Sequence, residues 1–82
     1  MEDQEFLETV IKAIVSEPDK VEVKRSVDEQ GVLLRFWVAK PDMGIVIGSG
    51  GINMESIRRL VKLVGFQNKA VVNLRLEEPA TT

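Results

Sequence analysis

Ile45-Val46-Ile47-Gly48-Ser49-Gly50-Gly51-Ile52-Asn53-Met54-Glu55-Ser56-Ile57-Arg58 is the stretch on which the reading of this chain turns. Three glycines fall within the four residues Gly48 to Gly51, directly before a segment with helical periodicity. Glycines there leave the backbone free to take positive φ and let a ligand approach the main chain without meeting a Cβ. The start of the following helix would expose unpaired N–H groups and the positive end of its dipole, which suit a phosphate. The same glycines would also serve a tight turn between two packed elements.

Downstream, Met54, Ile57, Leu60, Val61 and Val64 form an apolar stripe, with Arg58, Arg59 and Lys62 on other faces and Gly65 placed as the C-terminal stop. Upstream, Met43 to Ile47 is an apolar stretch held between Gly44 and Gly48, short enough to be a single helical turn or a strand. Before it, Val32 to Ala39 is almost wholly apolar and rich in β-branched and aromatic residues, as a central strand would be, and Lys40-Pro41-Asp42 stops it. Val21, Val23 and Val27 alternate with Glu22, Lys24 and Ser26 as a half-buried strand, and Asp28-Glu29-Gln30-Gly31 reads as the turn of a hairpin. From Asp3 to Ser16, Phe6, Leu7, Val10, Ile11 and Ile14 make one face of an amphipathic helix ended by Glu17-Pro18-Asp19. Ala70, Val72, Leu74 and Leu76 mark a last strand, after which Glu77 to Thr82 carries no pattern. The order is helix, strand, strand, short element, helix, strand.

With 82 residues the chain has room for one domain, and 44% hydrophobic with 29% charged residues is a globular balance. No apolar run approaches the ~20 residues of a membrane span, and the acidic start Met1-Glu2-Asp3-Gln4-Glu5 is unlike an export signal, so the expected address is the cytoplasm. Cysteine and histidine are both absent, which removes thiolate nucleophiles, imidazole bases, disulfides and the usual zinc ligands. No carboxylate pair has a nucleophile or base to work with, so an enzyme is not expected, nor is a cofactor or metal. The acids of the first helix and the pair Glu77-Glu78 read as solvated surface. The net charge of −2 conceals an asymmetry: nine acids and four bases in residues 1–30, two acids and seven bases in 31–76, then two acids, giving −5, +5 and −2. A basic remainder behind an acidic start suits a surface of which one part meets an anion.

Two phosphate motifs fit poorly. Val46-Ile47-Gly48-Ser49-Gly50 imitates the start of a dinucleotide fingerprint with Glu77 as a ribose-binding acid, but its third glycine would fall at Asn53. A P-loop fails because Gly44 and Gly48 lack the spacing to a Gly-Lys-Ser/Thr element.

The quoted stretch resembles the V-I-G-x-x-G-x-x-I-x-x-I core of KH domains. Val38-Ala39-Lys40-Pro41-Asp42-Met43-Gly44 upstream and Arg58-Arg59-Leu60-Val61 downstream resemble the small stand-alone bacterial KH proteins of the KhpA type, a similarity covering most of the chain. It implies an α+β fold, the type II KH domain in the order α-β-β-α-α-β, with a three-stranded mixed sheet, helices on one face, and Met43 to Ile47 as a short helix. The domain is expected over residues 1–77, with 78–82 a disordered C-terminal tail.

The implied function is non-catalytic binding of single-stranded RNA, as a chaperone or adaptor, with the loop clamping the backbone of about four nucleotides and bases in an apolar groove. Gly48 and Gly51 carry over as the fixed glycines and Ser49 and Gly50 as the variable positions. Ile47 and Met54 would help floor the groove, Ile52 lies exposed beside it, and the last strand would form its far wall. Lys40 and Arg58 are candidates for phosphate contacts. The family usually places Lys or Arg in the loop or just after it, where this chain has Ser49, Gly50 and Ile52; such a loop keeps its N–H groups and one hydroxyl but forfeits Coulomb attraction and counterion release. The resemblance also implies a homodimer, or a heterodimer with a second, larger KH-domain protein. The alternative reading is a KH fold used mainly for protein association. Trp37, on the strand face with Leu33 and Arg35, is either a stacking platform or partner surface, or is covered by a neighbour such as Arg75. An open sheet face bearing Trp37, with Ile52 exposed, suggests a weak homodimer.

Overall fold

The computed structural model describes residues 1–79; the end of the expected tail, residues 80–82, lies outside the described residues. The elements are α1 (Asp3–Ile14), β1 (Glu22–Asp28), β2 (Gly31–Trp37), α2 (Met43–Ile47), α3 (Ile52–Gln67) and β3 (Val72–Leu76), with 3-10 turns at Pro18–Lys20, Lys40–Asp42 and Ser49–Gly51. The fold is the α+β arrangement expected of a type II KH domain, α-β-β-α-α-β.

The hairpin forms where the polar turn interrupts two runs of strand-forming residues. The Asp28 carboxylate accepts from the Gln30 N–H at 2.8 Å, and Gly31 takes φ +126° to re-enter the sheet. In the sheet order β1-β2-β3, β2 is central: antiparallel to β1, with Val23 opposite Phe36, and parallel to β3, with Leu34 opposite Leu74. Parallel partners need a crossover, which α2 and α3 supply. Alternation along β2 puts Val32, Leu34, Phe36 and, just beyond the strand, Val38 inside. Against them pack Leu7 and Ile11 of α1, Val46 of α2, and Met54, Ile57 and Val61 of α3. A fully buried side chain of this size contributes about 1.5–3 kcal/mol.

The other face of β2 carries Leu33, Arg35 and Trp37, as the alternation requires. Trp37 is covered, but not by Arg75: the Arg35 guanidinium lies 5.1 Å and the Lys24 ammonium 5.3 Å from the ring centroid. Lys24 and Arg75 flank Arg35 in register, on β1 and β3, but Arg75 is turned to Glu77 at 3.9 Å and leaves the ring to Lys24 and Arg35. Glu77 also accepts from Arg35 at 3.1 Å, and its N–H donates to the Phe36 carbonyl. It is therefore an extension of the β3 edge rather than solvated surface.

One further acid departs from the solvated reading, and another is buried. Asp3 is 3% exposed and accepts from Arg25 Nε at 3.0 Å, tying the start of α1 to β1. Asp42 is buried and accepts from the Ser16 N–H (2.9 Å), the Ser16 hydroxyl (2.8 Å) and the Glu17 N–H (3.2 Å). These bonds draw the chain out of α1 at Ile14, two residues before the expected end at Ser16. The backbone bond from Ser16 holds the Asp42 carboxyl below its ordinary value of 3.8, against the opposing effect of burial and with help from the Ser16 hydroxyl and the Glu17 N–H. A depressed folded-state pKa confers stability that is fully present above the unfolded value and disappears as pH falls through the folded one. Asp42→Asn should therefore be less stable than the parent at pH 7 by several degrees of melting temperature. The gap should close as the pH is taken below 3.8, and urea titrations across that range would show it.

Along α3 the inner face is narrower than the sequence pattern suggests. Met54, Ile57, Val61 and Gly65 are buried, whereas Leu60 is 47% exposed and shares the outer surface with Ile52, Leu63 and Phe66. Gly65 is not the stop. A Cβ there would collide with Val72 Cγ2 and lie 3.1 Å from the Ala70 carbonyl, so its lack of a side chain is what lets β3 approach the helix. The helix runs on to Gln67 and ends in a Schellman motif, with Lys69 at φ +58°, Ala70 N–H bonded to the Gly65 carbonyl (2.8 Å) and Lys69 N–H to that of Phe66 (3.0 Å).

Candidate nucleic-acid interface

The glycine loop is a single 3-10 turn between α2 and α3. Gly48, Gly50 and Gly51 all take positive φ, at +77°, +65° and +82°, a region other residues enter at a cost of roughly 1–2 kcal/mol. At Gly50 and Gly51 a side chain would have open space, so the dihedral alone selects glycine. At Gly48 a Cβ would also lie 2.7 Å from Asn53 Cγ and 2.9 Å from the Asn53 backbone nitrogen.

The hydrogen bonds inside the turn leave donors over. The Gly51 N–H donates to the Gly48 carbonyl at 3.1 Å, and the Ile52 N–H to that of Ser49. The N–H groups of Ser49 and Gly50 have no partner among the described residues, and both residues are exposed. They lie at the N-terminal end of α3, a helix of 16 residues. Ile47, at 39% exposure, and Ile52, at 63%, flank the turn, and Ile45 is exposed on the same short helix. The arrangement offers backbone donors and one hydroxyl to an anion, with apolar surface beside them for a ring.

The other expected residues are placed less uniformly. Met54 is 8% exposed and belongs to the core beneath α3. Arg58 follows it four residues on, half-buried, with no ion-pair partner among the described residues. Lys40 is exposed but precedes α2, so about 7–8 Å of helix separates it from the loop. A cleft of about 230 Å³ next to the loop is walled by Val10 and Ile14 of α1, Ile45 of α2, and Asn53, Ser56 and Ile57 of α3; it includes no residue of β3. A larger cavity of about 490 Å³, lined by Phe66, Gln67, Lys69, Ala70 and Val71, lies at the far end of α3, away from the free donors.

Asn53 is the residue that sequence reasoning passed over. Its side-chain amide donates to the Ile45 carbonyl at 2.7 Å, joining the end of α2 to the start of α3. The available signal was a poor helix former in a first helical turn directly after a glycine run.

The dinucleotide reading fails on this geometry, because its glycines must follow a strand and Met43–Ile47 is a helix. A family model described as the KH domain of KhpA/KhpB matches residues 4–77. The chain belongs to this family. It is 40% identical over 70 residues to the RNA-binding protein KhpA of Clostridium acetobutylicum, covering 84% of this chain and 93% of that one. Identity to RNA-binding protein KhpA is 35% over 75 residues in Chlamydia pneumoniae and 31% over 75 residues in Listeria monocytogenes; each match covers 92% of this chain, and respectively 96% and 99% of the relative. The KhpA/KhpB KH domain is a non-enzymatic family, and these relatives are bacterial. Among the described residues no helix is long and apolar enough to cross a membrane.

Proposed function

We propose that this KhpA/KhpB-family domain, residues 1–77, is a cytoplasmic RNA chaperone or adaptor that holds single-stranded RNA on the Gly48–Gly51 turn. The observation that carries the proposal is the pair of unpartnered N–H groups at Ser49 and Gly50, exposed at the N-terminal end of α3 and flanked by Ile47 and Ile52. Backbone donors grip phosphates irrespective of base, and exposed isoleucines beside them give bases an apolar rest. The names of the relatives support the same ligand. Arg58 and Lys40 act at the margins of the grip, and Met54 acts from beneath it by fixing α3.

Fluorescence anisotropy with a short labelled single-stranded RNA, over a salt series, tests this. Binding that weakens only gently with salt is expected, since the loop holds no cation. Absence of binding at 50 mM salt would overturn the proposal. Ser49→Lys should strengthen binding by about 1 kcal/mol, roughly fivefold, and steepen the slope of log affinity against log salt by about 0.7.

A second reading rests on Leu60, Leu63 and Phe66, exposed at 47%, 61% and 76% on the outer side of α3. Helical spacing aligns them, and such a stripe is more apolar surface than an isolated small domain ordinarily leaves open. It favours association with a second copy or another KH-domain protein. Light scattering at high concentration should give a mass above that of the monomer, and Leu63→Glu with Phe66→Glu should return it to the monomer value; a parent that stays monomeric would remove the homodimer.

A further inference from the structure

In an α-helix the N–H of each residue donates to the carbonyl four positions back, so the helical acceptor for Ser49 would be Ile45. That carbonyl is occupied from elsewhere: the Asn53 side-chain amide donates to it at 2.7 Å. One residue earlier the helical pattern still holds, with the Gly48 N–H bonded to the Gly44 carbonyl at 2.8 Å. The switch therefore falls between Gly48 and Ser49. Gly48 leaves the helix at φ +77°, ψ 169°, packed so closely against Asn53 that no side chain fits between them.

We infer that Asn53 is the positioning residue of the loop: by tying the Ile45 carbonyl to α3 and packing against Gly48 where the chain turns out of α2, it keeps the Ser49 N–H from closing onto α2 and leaves that donor free for a phosphate. It acts through Ser49 and does not itself need to touch the ligand. Its position two residues into α3 means that α2 is terminated by a residue of the next helix, so the end of one and the start of the other are fixed together. The inference rests on the RNA-binding reading only for its ligand; the hydrogen-bond exchange at Ile45 stands apart from it.

The two parts separate in one experiment. In Asn53→Ala the released Ile45 carbonyl should recapture the Ser49 N–H, extending α2 by one residue. Amide hydrogen exchange at Ser49, followed by NMR, should then slow by about tenfold or more, although a hydrogen bond has been deleted; a residue that merely buttressed the loop would make it faster. Affinity for a labelled U12 RNA should fall by about tenfold, with the exchange of core amides such as those of Leu34 and Val61 unchanged. Asn53→Asp, which cannot donate to a carbonyl at neutral pH, should reproduce the slowing at Ser49; its added charge excludes it from the RNA comparison. Unchanged or faster exchange at Ser49 in both variants would overturn the inference, as would loss of fold in both or unaltered U12 affinity in Asn53→Ala. If the parent protein itself does not bind U12, the RNA reading falls while the exchange at Ser49 still decides the role of Asn53.

Discussion

Carrying Ser49→Asp and Gly50→Asp together, the protein should bind short single-stranded RNA about a hundredfold more weakly at low salt, with its fold intact. Two carboxylates would stand where the free N–H groups of the turn point, and each phosphate brought to them would meet two like charges in place of donors. The fold should survive because both positions are exposed and a Cβ at Gly50 enters open space. Gly50 has φ +65°, which aspartate tolerates better than most residues, so the melting temperature should fall by no more than about 8 °C. Anisotropy titrations and a thermal melt on the same preparation check both halves. RNA binding that ignores the double substitution would move the site away from the turn and leave association through the outer face of α3 as the function.

The second large effect is on stability. Gly65→Ala should cost about 2 kcal/mol, or roughly 8–16 °C in melting temperature, although alanine is the better helix former by about 1 kcal/mol. The added methyl meets Val72 Cγ2 and the Ala70 carbonyl, both fixed in the path from α3 into β3. Gly65→Asn separates this from a capping role. At a left-handed cap asparagine would be nearly neutral, whereas in the packed interior of α3 it should be worse than alanine. Urea denaturation of the three proteins decides the order, and an alanine variant as stable as the parent would refute the packing account.

What could be read in advance follows from what each residue pattern senses. The hairpin was legible because Asp28 to Gly31 contains its own turn chemistry, and β2 because alternation and β-branching coincide in a central strand. Met43–Ile47 was not, since five residues are too few for a period of 2 and one of 3.6 to be told apart; the resemblance to KH domains supplied the helix. On α3 the pattern placed Leu60 inside and Gly65 at the end. Apolar residues occupy both sides of that helix, so hydrophobicity alone does not mark which side is covered. Asp3 looked like surface because its partner Arg25 lies 22 residues away, and the tie between Asp42 and Ser16, 26 residues apart, left no local signal. Of the candidate site, the glycines were legible from their dihedral freedom. The role of Asn53 was not, because it depends on a carbonyl eight residues earlier that only the turn brings near.

The parallel pairing of β2 with β3 sets the order in which this chain can assemble. Val32 and Val72 meet across 40 residues of chain, and closing such a gap costs about 3 kcal/mol of loop entropy before any ladder bond rewards it. The β1–β2 hairpin closes across a two-residue turn and bears almost none of that cost. The sheet is therefore built from its antiparallel side. Its last strand docks where α3 presents Gly65 as the gap into which Val72 fits. A ribosome releasing this chain exposes the apolar edge of β2 for as long as residues 72–76 are still in the exit tunnel. During that interval the unfinished domain, rather than the finished one, is the form at risk of pairing with another strand.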